Sequence, residues 1–128
     1  MIPRKFLESL KYALEGIAYC INTQRNMRIH SVFAVLVLLA GIIIRISKLE
    51  FIIIIMVISL VFICEVFNTA IEKAVDTSTQ EYHPIAKISK DVAAGAVLVS
   101  SINAIIIGCL IFGRYIWVII LNIISNVI

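Results

Sequence analysis

The sequence predicts an all-α membrane protein in one domain: an N-terminal amphipathic surface helix, three transmembrane helices and an apolar C-terminal tail. Three observations predict it. Hydrophobic residues make up 62% of the 128 residues, against roughly 45–50% in soluble domains, and mean hydropathy is +1.08; no small soluble core hides that much apolar surface. Apolar runs at 29–44, 51–64 and 92–113 are almost free of charge. Ahead of them, residues 4–26 place apolar side chains at helical spacing on one side only.

In that first segment Phe6, Leu7, Leu10, Leu14, Ile17 and Ile21 form the apolar stripe, while Lys5, Glu8, Lys11 and Glu15 lie largely off it. Such a helix rests in the membrane interface with its lysines near headgroups. The opening M-I-P-R-K-F-L-E-S-L-K-Y is charged throughout and does not read as a cleavable signal peptide. The first span, 29–46, is uncharged up to Ile44 apart from His30, which is taken as structural. It is short against the ~20 residues a bilayer needs, so Arg28, Arg45 and Lys48 are expected to snorkel at its ends.

Ser47-Lys48-Leu49-Glu50 reads as a tight turn. The second span, 51–75, exceeds the hydrocarbon thickness, so its last turns should protrude into the interface. A loop at 77–84 precedes the third span, 86–113, where Ala93, Ala94, Gly95 and Ala96 permit close helix contact. The tail, 114–128, fits an interfacial helix, an extension of the third span or a short fourth one. Tyr115 and Trp117 suit an aromatic belt. Cys20, Cys64 and Cys109 lack metal-ligand spacing and read as small packing residues.

Basic residues are unevenly placed. Eight (Arg4, Lys5, Lys11, Arg25, Arg28, Lys73, Lys87, Lys90) fall on the side of the amino terminus and the second loop, against Arg45, Lys48 and Arg114 on the other. The positive-inside tendency puts the first group in the cytoplasm, in a multi-pass protein of the cell membrane. The net charge of +3 is modest, and no nucleic-acid partner is expected.

The chemistry gathers at 65–91. Glu65, Asn68, Thr69, Glu72 and Asp76 recur every three or four residues, which stacks them on one helical face. Carboxylates on a membrane helix are costly and point to function. Phosphoryl transfer needs a group for the nucleophile, a divalent cation and positive charge on the phosphates. Glu65, the deepest carboxylate, suits a general base for a lipid hydroxyl. Glu72, two turns toward the cytoplasm, is a hard oxygen ligand suited to Mg²⁺. Asn68 lies between them and can position a carboxylate or a substrate oxygen. Lys90 can neutralise phosphate charge, and Asp91 can orient Lys90 or bind ribose. Soluble nucleotide motifs of the G-x-x-x-x-G-K-[ST] or G-x-G-x-x-G type are absent from the sequence. From residues alone, a kinase is one option among several.

A resemblance narrows this. E-x-x-N-T-A-I-E-x-x-V-D, then E-Y-H-P-x-A-K-x-x-K-D-x-A-A-G-A-V-L, spans 65–98 and resembles the signature of the prokaryotic diacylglycerol kinase family of small membrane lipid kinases. The likeness extends back through R-N-M-R-I-H to Tyr12. It implies a homotrimer of three-span protomers with a surface helix and active sites shared between protomers. It also implies ATP as co-substrate and Mg²⁺ as cofactor. By position, Glu65 matches the catalytic base and Glu72 a metal-binding glutamate. Tyr12, Glu81, His83, Lys90 and Asp91 match nucleotide-contacting positions, to which Glu72 adds its bound metal. The family often has a second metal-binding glutamate where this chain has Gln24, a neutral and weaker Mg²⁺ ligand. The H-P-x-A-K and K-D-x-A-A-G-A-V-L wording is most similar to the Gram-positive branch, whose members act chiefly as undecaprenol kinases.

The expected function is therefore ATP- and Mg²⁺-dependent phosphorylation of a membrane lipid alcohol, undecaprenol first and diacylglycerol as the alternative. A small proton-coupled transporter is the rival of another class. It explains Glu65 but has no use for Asn68, Glu72, Lys90 and Asp91 on the same side.

Overall fold

A computed structural model describes residues 4–79 and 81–127, with side chains described for 5–79 and 81–125. Four helices follow one another: α1 (Arg4–Thr23), α2 (Arg25–Ile44), α3 (Lys48–Ser78) and α4 (Pro84–Val127). Three of them, α2, α3 and α4, are long and apolar enough to cross a membrane, so the protein is an all-α, multi-pass membrane protein. The surface helix ends earlier than the sequence pattern suggests. Gln24 adopts an extended conformation (φ −95°, ψ 121°) and divides α1 from α2. Next to that break Cys20 and Met27 are buried, Met27 being only 1% exposed. The apolar stripe of α1 is exposed along its length, as a helix lying on a bilayer requires.

The α2–α3 hairpin is tighter than a four-residue turn. Arg45 takes the left-handed conformation (φ 58°, ψ 50°), the backbone N–H of Ile46 reaches back to Gly41 O at 3.1 Å, and α3 begins at Lys48. Ser47 and Glu50 form a reciprocal capping box at its start, satisfying donors that a helix terminus otherwise orphans. A Cβ on Gly41 would lie 3.1 Å from the Ile46 side chain and 3.3 Å from Phe51, so glycine lets these side chains pack close against α2.

The antiparallel α3·α4 pair forms the backbone of the bundle. Ile54, Val57, Val61, Glu65 and Thr69 are buried along α3, facing Ala93, Val97, Ser100 and Ile111 of α4. The α3 set steps by threes and fours, as do Ala93, Val97 and Ser100 of α4, the spacing of a left-handed helix seam. Of the four small residues 93–96, only Ala93 lies in this seam. Ala94 and Ala96 are exposed, and a Cβ on Gly95 would meet open space.

Polar links close the pair at each end. Near the hairpin, Tyr115 Oη donates to Glu50 Oε2 at 2.8 Å, and the Arg114 guanidinium pairs with Glu50 Oε1 at 2.8 Å. Tyr115 is thus a clasp between helices. At the opposite end Lys90 pairs with Asp76. The two links stand about 38 Å apart at 1.5 Å per residue, which exceeds the ~30 Å hydrocarbon core and leaves both at its borders. Beyond Tyr115 the tail continues α4 without a break to Val127; Ile128, its last residue, lies outside the described residues. Trp117 there is 62% exposed.

Candidate active site

Glu65 is 2% exposed, on the face of α3 turned into the bundle. Its position follows from the seam: it takes the place of an apolar residue in the series that starts at Ile54, four residues after Val61. His30 Nε2, from the second turn of α2, lies 3.2 Å from Glu65 Oε1. The ring is not squarely aligned, and Glu65 Oε1 is buried without a completed hydrogen bond. Thr69, one turn on, donates its hydroxyl to the Glu65 backbone oxygen at 2.9 Å, so its proton is not available to the carboxylate.

Toward the Asp76 end, Asn68 Nδ2 donates to Glu72 Oε1 at 3.1 Å. This fixes the Glu72 carboxylate and leaves Asn68 Oδ1 buried without a donor. A buried acceptor without a partner is costly, and a hydroxyl or a cation arriving beside it would relieve that cost. Among the described residues no three His, Cys, Asp or Glu side chains gather into a metal cage. Mg²⁺ seldom needs one, since it binds through one or two carboxylates together with phosphates and water. Glu72 held by Asn68 fits that mode.

The other residues singled out in the sequence are not drawn to this point within the chain. Tyr12 is exposed on α1. The Gln24 side chain does not cap α2. Glu81 is exposed and accepts from Thr79 Oγ1 through its backbone oxygen, at 3.0 Å. His83 Nδ1 accepts from the Ile85 N–H at 3.3 Å, capping α4 where Pro84 starts it. Lys90 pairs with Asp76, and Asp91 accepts from Lys87 Nζ at 2.6 Å. Asp91 therefore does not orient Lys90; helical spacing favours the partner one turn earlier.

Along the apolar stretch, α2, α3 and α4 enclose a groove of about 670 Å³, open to the side. His30 stands at its margin, with Phe33, Val61 and Phe62 nearby. Ser101 and Cys109 line it from α4, so Cys109 faces open space and is not a packing residue. Sequence reasoning took His30 as structural and did not foresee its approach to Glu65. A signal was present: a polar side chain within an apolar span is a functional candidate by default, a rule applied to Glu65 and not to His30.

The sequence profile of the family described as prokaryotic diacylglycerol kinase matches residues 11–112. An undecaprenol kinase of Bacillus subtilis (strain 168) is 43% identical over 108 residues, covering 84% of this chain and 88% of the relative. A diacylglycerol kinase of Synechocystis is 44% identical over 108 residues, covering 84% of this chain and 62% of the relative. A diacylglycerol kinase of Escherichia coli (strain K12) is 26% identical over 106 residues, covering 83% and 87% of the two chains.

Proposed function

The chain belongs to the prokaryotic diacylglycerol kinase family of membrane enzymes, and from that premise we propose that it transfers the γ-phosphoryl group of ATP to the hydroxyl of undecaprenol, giving undecaprenyl phosphate and ADP. The observation that carries the reading is the line Glu65–Asn68–Glu72: a carboxylate buried in a membrane helix, followed within two turns by an amide-held carboxylate nearer the membrane border. The Bacillus relative's name favours undecaprenol. Diacylglycerol is the second reading, favoured by the equal identity of the Synechocystis enzyme.

In this mechanism the lipid enters sideways, its chain in the apolar groove and its hydroxyl at Glu65. Glu65 accepts the hydroxyl proton as the new O–P bond forms and the bond between the γ-phosphorus and the bridging oxygen breaks, that oxygen leaving on ADP. Asn68 Oδ1 receives a hydrogen bond from water beside the hydroxyl. Glu72, with Gln24 as a weaker candidate, would hold Mg²⁺, which would supply charge neutralisation on the phosphates. Lys90 exchanges Asp76 for phosphate. Tyr12, Glu81, His83 and Asp91 complete the nucleotide site when protomers assemble as a homotrimer. Their separation from Glu65 within one chain and the exposed apolar faces of α2 and α4 support that assembly. The excess of basic residues near the site supports a cytoplasmic orientation.

The test is transfer of labelled γ-phosphate from Mg·ATP by purified protein in mixed micelles, with undecaprenol and diacylglycerol offered separately. Label in undecaprenol, lost in Glu65→Gln and Glu72→Gln, is the expected result. Preference for diacylglycerol replaces the substrate and keeps the chemistry. Failure to label either lipid by folded protein overturns the reading.

A further inference from the structure

We propose that His30 is a positioning residue for Glu65: its imidazole holds Oε1 of the buried carboxylate so that Oε2 is presented to the substrate hydroxyl. The inference rests on the reading of Glu65 as the base, and it starts from a question of partners. A carboxylate at 2% exposure has lost its water, and a buried anion persists only when donors replace that water. The polar neighbours on its own helix are engaged elsewhere. Thr69 donates to the backbone of Glu65, and the Asn68 amide donates to Glu72. The donor that remains comes from a different helix: His30 Nε2, 3.2 Å from Oε1.

The placement of His30 suits this task. It sits three residues after Met27, the most deeply buried side chain among the described residues, so its stretch of α2 is anchored against its neighbours. Imidazole can donate from Nε2 either as the neutral Nε2–H tautomer or as imidazolium. A small rotation of either side chain would complete the hydrogen bond from 3.2 Å. The ring also borders the apolar groove, where it stands between the path of the lipid chain and the base. Its effect should therefore fall on the step at Glu65 and not on nucleotide binding.

The experiment compares His30→Leu, His30→Gln and His30→Ala with Glu65→Gln in the mixed-micelle assay, recording kcat, KM for ATP and the thermal unfolding midpoint. His30→Leu is expected to lower kcat by about 100-fold, the scale of a misplaced reacting group, with KM for ATP unchanged. His30→Gln, which carries an amide donor at similar reach, should recover most of the loss, and added imidazole should raise the rate of His30→Ala. Full kcat in His30→Leu while Glu65→Gln is inactive overturns the positioning role and leaves the base in place. Equal loss in His30→Leu and His30→Gln with a lowered midpoint overturns it in favour of packing. An active Glu65→Gln overturns the reading of the base itself.

Discussion

Tyr115 Oη donates to Glu50 Oε2 at 2.8 Å, tying the start of α3 to α4 at the opposite end of the bundle from Glu65. Glu50 also accepts from the Ser47 backbone N–H at 2.9 Å, so one carboxylate holds a helix cap and a helix pair together. The Arg114 guanidinium covers the Tyr115 ring, 4.8 Å from its centroid. Tyr115→Phe is expected to lower the unfolding midpoint in micelles while leaving KM for ATP unchanged. Ser47→Ala should cost about 0.5–2 kcal/mol, the scale of a lost N-cap. Thermal denaturation followed by circular dichroism checks both.

The hairpin itself makes an opposed pair of predictions. Arg45 is a non-glycine residue in left-handed backbone. Arg45→Gly removes that strain and should stabilise the protein or leave it unchanged. Gly41→Val inserts methyl groups where a Cβ already lies 3.1 Å from Ile46, and overpacking of this kind costs about 1–3 kcal/mol. The two unfolding midpoints should move apart.

Asn68 is expected to reveal itself through the metal rather than through the fold. Asn68→Leu frees Glu72 from its hydrogen bond at 3.1 Å. Loss of a residue that orients a metal ligand typically costs roughly 10–100-fold in affinity or activity. A titration of kinase rate against Mg²⁺ should shift to higher concentration by that order, and binding of Mg²⁺ to the protein in the absence of ATP should weaken in parallel.

The Lys90–Asp76 pair is exposed on both sides, and exposed ion pairs add little to stability. Asp76→Asn should therefore leave the unfolding midpoint unchanged. Lys90→Gln should do the same to the midpoint and yet raise KM for ATP, because a neutral amide has no charge to offer phosphate. A kinetic and a thermal measurement on each variant separate the two roles.

Residues 118–125 of the tail are exposed and lie beyond both polar links of the α3·α4 pair, and the family match ends at residue 112. A chain ending at residue 117 should keep both KM for ATP and the Glu65-dependent rate. The same assay on the shortened protein checks this.

The spans were legible because apolar runs and helical spacing report directly on which surfaces avoid water. The α3 site was legible for a related reason: Glu65, Asn68 and Glu72 break an apolar pattern at helical intervals, and only one face can hold them. What the sequence concealed depends on neighbours distant in the chain. The link from Tyr115 to Glu50 stayed hidden because nothing local announces a partner 65 residues earlier. His30 looked structural because its partner lies on the next helix. Ala94, Gly95 and Ala96 suggested close packing, yet the register of the seam selects Ala93 alone. The S-x-x-E at Ser47 carried its capping box openly, and treating it as a turn overlooked a local rule.

The sideways opening of the groove beside His30 has a kinetic consequence for the proposed reaction. A reactant that enters from the hydrocarbon phase is delivered by two-dimensional diffusion, and its availability is a mole fraction among lipids or detergent molecules. The nucleotide is delivered from water, and its availability is a molarity. Adding inert amphiphile at fixed total substrate should therefore slow the enzyme as though substrate had been withdrawn, while diluting the whole mixture with buffer saturated in ATP should not. Rates compared between preparations are meaningful only at matched surface composition.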